Sequence, residues 1–156
     1  MNRLRQALAL ALALTAGACA KSAEKNEAAA PAGSSRPAAV VSSYDSGPRA
    51  AESPVDETMA ERGEKLFKDK GCSACHGFGQ RVSGPDLKGV AMRRTAQWME
   101  QQILHPEKMT KEDPISRQLF AQFALQMPNQ GLTEDEARAI IEYFKHKDHE
   151  GREAEN

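Results

Sequence analysis

The stretch Cys72-Ser73-Ala74-Cys75-His76 limits what this chain can fold into more than any other. Two thiols three positions apart on one turn, followed at once by an imidazole, form the Cys-x-x-Cys-His pattern that attaches a c-type haem covalently. The thiols can join the two vinyl groups of one porphyrin, and His76 is then carried beneath the iron as an axial ligand. A chain built on this motif has to wrap itself around a large, flat, mostly apolar group. Two other chemistries use similar residues: half of a zinc site and a thioredoxin-like dithiol. The sequence has three cysteines, the third being Cys19, so no second cysteine pair is present to complete a zinc site. A thioredoxin-like dithiol needs a strand-helix-strand setting, and little near the motif reads as strand.

The 156 residues suit one domain, and the packed part is shorter than the chain. Tyr44 is the only aromatic residue before Asp56, so the core has to come from the residues beyond that point. A domain of about 90 residues buries only about 60 to 65% of its unfolded surface, and an apolar cofactor at its centre would add materially to stability. A formal net charge of −1 and the lack of a long basic run give no support to nucleic-acid binding.

Residues 1–18 read as a signal peptide: Arg3 and Arg5 precede an apolar run, Ala7 to Leu14, that is too short to span a bilayer as a helix. Export to the periplasm is therefore expected. Thr15-Ala16-Gly17-Ala18-Cys19 resembles a bacterial lipobox, with Ala16 where that pattern usually has Leu, while Ala16-Gly17-Ala18 also satisfies ordinary signal peptidase. Cys19 is the thiol left over once Cys72 and Cys75 are used, which favours a lipid anchor at Cys19 and hence a membrane attachment. Residues 19–55 are rich in Ala, Ser and Pro and lack an apolar period, so a disordered linker is expected there. A flexible chain of ~35 residues reaches about 30 to 35 Å.

From Glu57 the pattern turns helical. Met59, Gly63, Leu66 and Phe67 share one face of a helix leading into the haem motif. A glycine inside a helix costs about 1 kcal/mol relative to Ala, so Gly63 is expected where another backbone comes close. The last helix supplies a partner face in Ala137, Ile140, Ile141 and Phe144, and Thr133 with Glu136 forms a capping box at its start. Between the two lie a segment capped by Thr95 that stops near Pro106 and another begun by Asp113-Pro114 that ends before Pro128. Arg81 to Gly89 reads as a loop.

Taken together, Gly63-Glu64-Lys65-Leu66-Phe67, Gly71 through Gly77, Gly84-Pro85-Asp86-Leu87, Met127-Pro128 and a last helix containing Tyr143 make residues 56–149 resemble a class I, single-haem bacterial cytochrome c. The resemblance implies an all-α fold of four to five helices around one haem, with crossing N- and C-terminal helices, Gly63 and Tyr143 meeting at the crossing, and a tail over 150–156. It implies that His76 and a methionine are the axial ligands, that the Pro85 carbonyl accepts the Nδ1 hydrogen of His76, and that Leu87 packs on the porphyrin. It further implies a one-electron carrier rather than an enzyme, working between respiratory-chain proteins such as a terminal oxidase, a reductase or a dehydrogenase. The alternative is an open-coordination haem sensor or enzyme subunit. Peroxidase-type relatives need two haem motifs where this chain has one, and gas-binding helical-bundle cytochromes carry the motif near the C-terminus rather than at the start of the domain.

The distal ligand has to come from Met92, Met99, Met109, Met127, His105, His146 or His149. The first three methionines sit in or beside helices, where methionine is usually core filler. His146 and His149 lie near the chain end, and His105 directly precedes Pro106. Met127 leaves a helix that Pro128 prevents from continuing, and Asn129-Gln130-Gly131 turn the chain back, so Met127 is the expected ligand. Arg81, Lys88, Arg93 and Arg94 come after the motif and suggest docking on an acidic partner.

Overall fold

The structure, a computed structural model, describes residues 40–154. The signal peptide, Cys19 and most of the expected linker lie outside the described residues. Within them are six α-helices: α1 (Glu57–Asp69), α2 (Val90–Arg93), α3 (Ala96–Leu104), α4 (Pro106–Glu112), α5 (Pro114–Phe123) and α6 (Glu134–Glu153). Short 3-10 turns cover Ser43–Asp45, Ala50–Glu52 and Cys72–Ala74. Among the described residues the only β pairing is an isolated bridge between His76 and Arg81. No helix here is long and apolar enough to cross a membrane.

The helix starts obey local chemistry. Asp56, Thr95, Asp113 and Thr133 each accept a backbone N–H of the first turn through their side chains, satisfying donors that a helix leaves without an internal partner. Pro114 occupies the first turn of α5, where the missing N–H is not needed. Pro106 does the same for α4, so the proline expected to stop α3 also begins the next helix.

α1 and α6 make the most extensive helix-helix contact: α1 buries Gly63 and Phe67 of its expected face together with Ala60, while Met59 and Leu66 stay half-buried, and α6 buries Ala137, Ile140, Ile141 and Phe144 as expected. Gly63 lies against the backbone of Ala139, where a Cβ would fall 2.0 Å from the carbonyl oxygen. The crossing contact is thus with Ala139. Tyr143, expected beside Gly63, lies one turn beyond Ala139 on α6 and packs with Phe67, Phe78 and Phe144, ring centroids 5.5 to 6.4 Å apart.

Three boundaries differ from the sequence expectation. Residues 42–56 are packed, not a solvated linker: Thr95 donates to Asp45 and Tyr44, and buried Lys145 donates to the Pro54 carbonyl. α6 runs on to Glu153, so the residues expected to begin a tail at 150 are helical. α2 and α4 were not expected as helices. α2 is held at its start by the buried carboxylate of Asp148 in α6, which accepts from the Gly89 and Ala91 amides at 2.6 and 2.8 Å.

Candidate haem pocket

The Cys-x-x-Cys-His turn comes directly after α1. Gly71, at φ 76°, ends the helix and lets the chain wind into the 3-10 turn Cys72–Ala74. The His76 amide donates to the Cys72 carbonyl at 3.0 Å, which fixes the imidazole relative to the two thiols. Both cysteines are free, half-buried, and exposed to one cavity. Burial pushes the Cys72 thiol up, and the neighbouring Cys75 adds to the rise against one backbone hydrogen bond. A thiol held up in this way is a poor redox nucleophile.

The loop from Gly77 to Gly89 folds back over His76. The Gly84 amide donates to the Cys75 carbonyl at 2.9 Å, and a Cβ at Gly84 would stand 2.8 Å from His76 Cε1, so only glycine fits this approach. The next residue's carbonyl, that of Pro85, lies 2.9 Å from His76 Nδ1. A carbonyl only accepts, so the hydrogen belongs on Nδ1 and Nε2 keeps the lone pair that a metal ligand needs. Asp86 secures the loop by accepting from the Gly79 and Lys88 amides at 2.7 and 2.9 Å. Bonds from the Lys88 and Gly79 amides, together with Arg93 and Lys88 nearby, hold its carboxyl below the usual range despite some desolvation.

One cavity brings together Cys72, Cys75, His76, Pro85, Leu87 and Met127. Its remaining walls are largely apolar and come from every helix from α1 to α6. Of the other candidate ligands, Met99 also touches the cavity but lies in the α3 core. Met109 is 1% exposed within α4 and does not line it. Met92 is exposed within α2, and His105, His146 and His149 do not line the cavity. His146 is engaged elsewhere, with Nδ1 2.7 Å from Glu57.

The Met127 side chain is held by groups the sequence did not single out. Gln102 Nε2 in α3 donates to Met127 Sδ at 3.7 Å. Gln102 Oε1 accepts the Ser116 hydroxyl at 2.6 Å, which sets the amide with its N–H toward the sulfur. Ser116 Oγ also lies 3.1 Å from Asp113 Oδ1, and Trp98 Nε1 donates to that same oxygen at 3.1 Å. Burial pushes the Asp113 carboxyl up, but hydrogen bonds from Ser42, Ser116 and Trp98 outweigh it and the group lies below its ordinary value. Asp113 and Ser116 are three positions apart and Trp98 and Gln102 four, but the bonds that join α3 to α5 and Gln102 to Met127 span 14, 15 and 25 positions and follow no helical spacing.

The residues fit a haem: two thiols for its vinyl groups, an imidazole with a free Nε2, a thioether, and an apolar enclosure for the ring. Two guanidinium groups, Arg93 and Arg94, also line the cavity. Among the described residues no cluster of three or more His, Cys, Asp or Glu side chains is arranged to hold a metal ion, so the zinc alternative has no ligand set there.

Comparison with known proteins agrees with this geometry. A family model described as Cytochrome c matches residues 60–147. Cytochrome c-551 of Ectopseudomonas mendocina is 31% identical over 81 residues, covering 52% of this chain and 92% of that protein. Cytochrome c-551 of Stutzerimonas stutzeri is 44% identical over 39 residues, and the chain spans only 38% of its length and 25% of its own. Among solved structures, cytochrome c from Rhodothermus marinus aligns with a TM-score of 0.60 at 32% identity, covering 65% of this chain and 96% of that one.

Proposed function

The chain belongs to the cytochrome c family and carries covalently bound c-type haem as an electron-transfer protein rather than an enzyme, and from that membership we propose a periplasmic carrier whose iron is held between His76 and Met127. One observation supports the ligand assignment: of the methionines that line the cavity with Cys72, Cys75 and His76, Met127 stands in the loop before α6 whereas Met99 is buried within α3, and Met109 does not line it. When bound, haem supplies an iron that passes between ferric and ferrous states with both axial positions filled. The protein's part is to hold that centre still. Pro85 fixes the His76 ring and raises its basicity, Gln102 fixes the Met127 thioether, and the apolar walls with Leu87 exclude water.

Export is proposed from residues 1–18, and a lipid on Cys19 would tether the domain to a membrane. Respiratory-chain proteins are the proposed donor and acceptor. Of the four cations expected to meet an acidic partner, Arg81, Lys88 and Arg93 are exposed. Arg94 is turned inward onto Asp45 at 3.1 Å and contributes less to that surface.

Replacing Met127 by Ala tests the assignment. The variant should lose the sulfur-to-iron absorbance band, show a much lower reduction potential, and bind carbon monoxide in the ferrous state. If it keeps band and potential while Met109→Ala loses both, the ligand is Met109. A high-spin spectrum in the unaltered protein would mean an open-coordination haem.

A further inference from the structure

Residues 42–56 precede the part of the chain that matches the family, yet they close on a wall of the haem pocket. Asp45 is the centre of that contact. Its carboxylate side chain is 8% exposed, with Oδ1 accepting from the Thr95 amide at 2.8 Å and from Arg49 at 3.1 Å, and Oδ2 accepting from Arg94 at 3.1 Å. Around it the backbones are stitched together. The Ala50 amide donates to the Arg94 carbonyl at 3.0 Å, the Thr95 hydroxyl to the Tyr44 carbonyl at 2.7 Å, and Arg49 to the Arg93 carbonyl at 2.8 Å.

Arg94 is the residue this arrangement constrains. Its guanidinium carbon stands 5.0 Å over the Trp98 ring, and its side chain lines the cavity that holds Cys72, Cys75 and His76. Asp45 does not line that cavity. The pair is therefore oriented, with its positive member toward the pocket and its negative member behind. A long, rotamer-rich arginine would otherwise extend into water, so a fixed position requires a partner to hold it.

We infer that residues 42–56 are a clamp in which Asp45 acts as a positioning residue, holding the Arg94 guanidinium against the haem pocket so that its charge bears on the reduction equilibrium of the bound centre. The inference rests on the pocket being the haem site. Reduction adds one negative charge to the centre, so a cation fixed nearby favours the reduced state, and it does so more strongly in a site shielded from water. A clamp that serves only to stabilise the fold would leave the potential unaffected by the pairing itself.

The test is a double-substitution cycle in the full-length, haem-loaded protein, reading reduction potential by spectroelectrochemistry. Arg94→Gln should lower the equilibrium constant for reduction by a factor on the order of three to ten. Asp45→Asn removes a negative charge, which alone would raise the potential. If Asp45 holds Arg94 in place, this substitution lowers the potential when Arg94 is present and raises or leaves it unchanged when Arg94 is already Gln. Equal shifts in the two backgrounds overturn the clamp. Should Asp45→Asn fail to fold, Arg94→Lys keeps the charge but loses the planar stack on Trp98. Its potential should fall part of the way to that of Arg94→Gln, and an unchanged potential again overturns the clamp. A full-length chain that matures without covalent haem overturns the reading of the pocket and the clamp with it, whereas a haem-loaded protein with additive shifts overturns the clamp alone.

Discussion

Gly63→Ala probes the contact on which the fold closes. A Cβ at this position would lie 2.0 Å from the Ala139 carbonyl oxygen, 2.5 Å from its carbon and 3.0 Å from the Ile140 nitrogen. All three are backbone atoms of α6, so no side chain can swing aside. Restoring an ordinary 3.4 Å contact requires α1 and α6 to move apart by about 1.4 Å. A gap of 0.5 to 1 Å already forfeits roughly a quarter to a half of the attraction between packed atoms, so the contacts of Ala60, Phe67, Ala137 and Ile140 across the crossing would weaken further still. Overpacking costs about 1 to 3 kcal/mol and sometimes more, while the helix preference of Ala over Gly returns about 1 kcal/mol. With backbone as the obstacle the cost belongs at the upper end, leaving a net loss of about 2 kcal/mol. For a domain of this size that corresponds to a fall in Tm of roughly 8 to 16 °C. Thermal unfolding of the oxidised, haem-loaded protein by far-UV circular dichroism measures it, with Glu61→Ala on the exposed face of α1 as a control for helix preference alone. A Gly63→Ala protein that melts at or above the unaltered protein would refute the close-contact argument.

The pocket and its supports lead to four further outcomes. Asp113→Ala removes the cap of α5 and strands the Trp98 indole N–H, for a loss of about 2 to 4 kcal/mol in denaturant unfolding. Because the Asp113 carboxyl is lowered in the folded state, its ionised form contributes stability above the unfolded value near about 3.9, and that contribution is lost as pH falls through the folded value; the deficit of Asp113→Asn against the unaltered protein should therefore shrink in acid. Gln102→Leu removes the donor to Met127 Sδ while nearly keeping volume, so the sulfur-to-iron band should shift and the potential should fall with the haem still attached; an unchanged band would show that the amide does not act on the sulfur. Acid-acetone extraction should leave haem on the polypeptide, and Cys72→Ser or Cys75→Ser should weaken that retention, whereas complete extraction from the unaltered protein would contradict thioether attachment.

The features legible in the sequence are those whose causes lie within a few residues of each other. The haem motif, the caps at Thr95, Asp113 and Thr133, and most of the apolar faces of α1 and α6 have their partners three or four positions away, and they stand where they were expected. The features that escaped depend on partners far along the chain. Asp45 meets Arg94 and Thr95 across 49 and 50 positions, so the Ala- and Pro-rich stretch around it shows no periodic signal although it packs. α2 is only four residues long, and its N-terminal amides are satisfied by Asp148, 57 and 59 positions away. α6 runs past residue 149 through Gly151, a residue that usually marks a helix end, and His149 pairs there with Glu153 one turn on.

The same division runs through the pocket. Met127 could be singled out because Pro128 beside it forbids a helix there; α5 in fact ends earlier, at Phe123, where Ala124 turns to φ 51°, so Met127 lies in the loop before α6. Gln102 and Ser116, which orient its sulfur, could not, because they share no helical spacing with Met127 or with each other and come together only through side-chain bonds made in the folded chain. Arg94 shows how such a partner changes a residue's meaning. As one of several cations after the haem motif it suggests a docking surface, but with Asp45 behind it and Trp98 beneath it, its charge is directed into the pocket. The attachment chemistry of this protein is therefore written in one pentapeptide, whereas the groups able to tune its potential are distributed over residues 45 to 127 and are joined only by the fold.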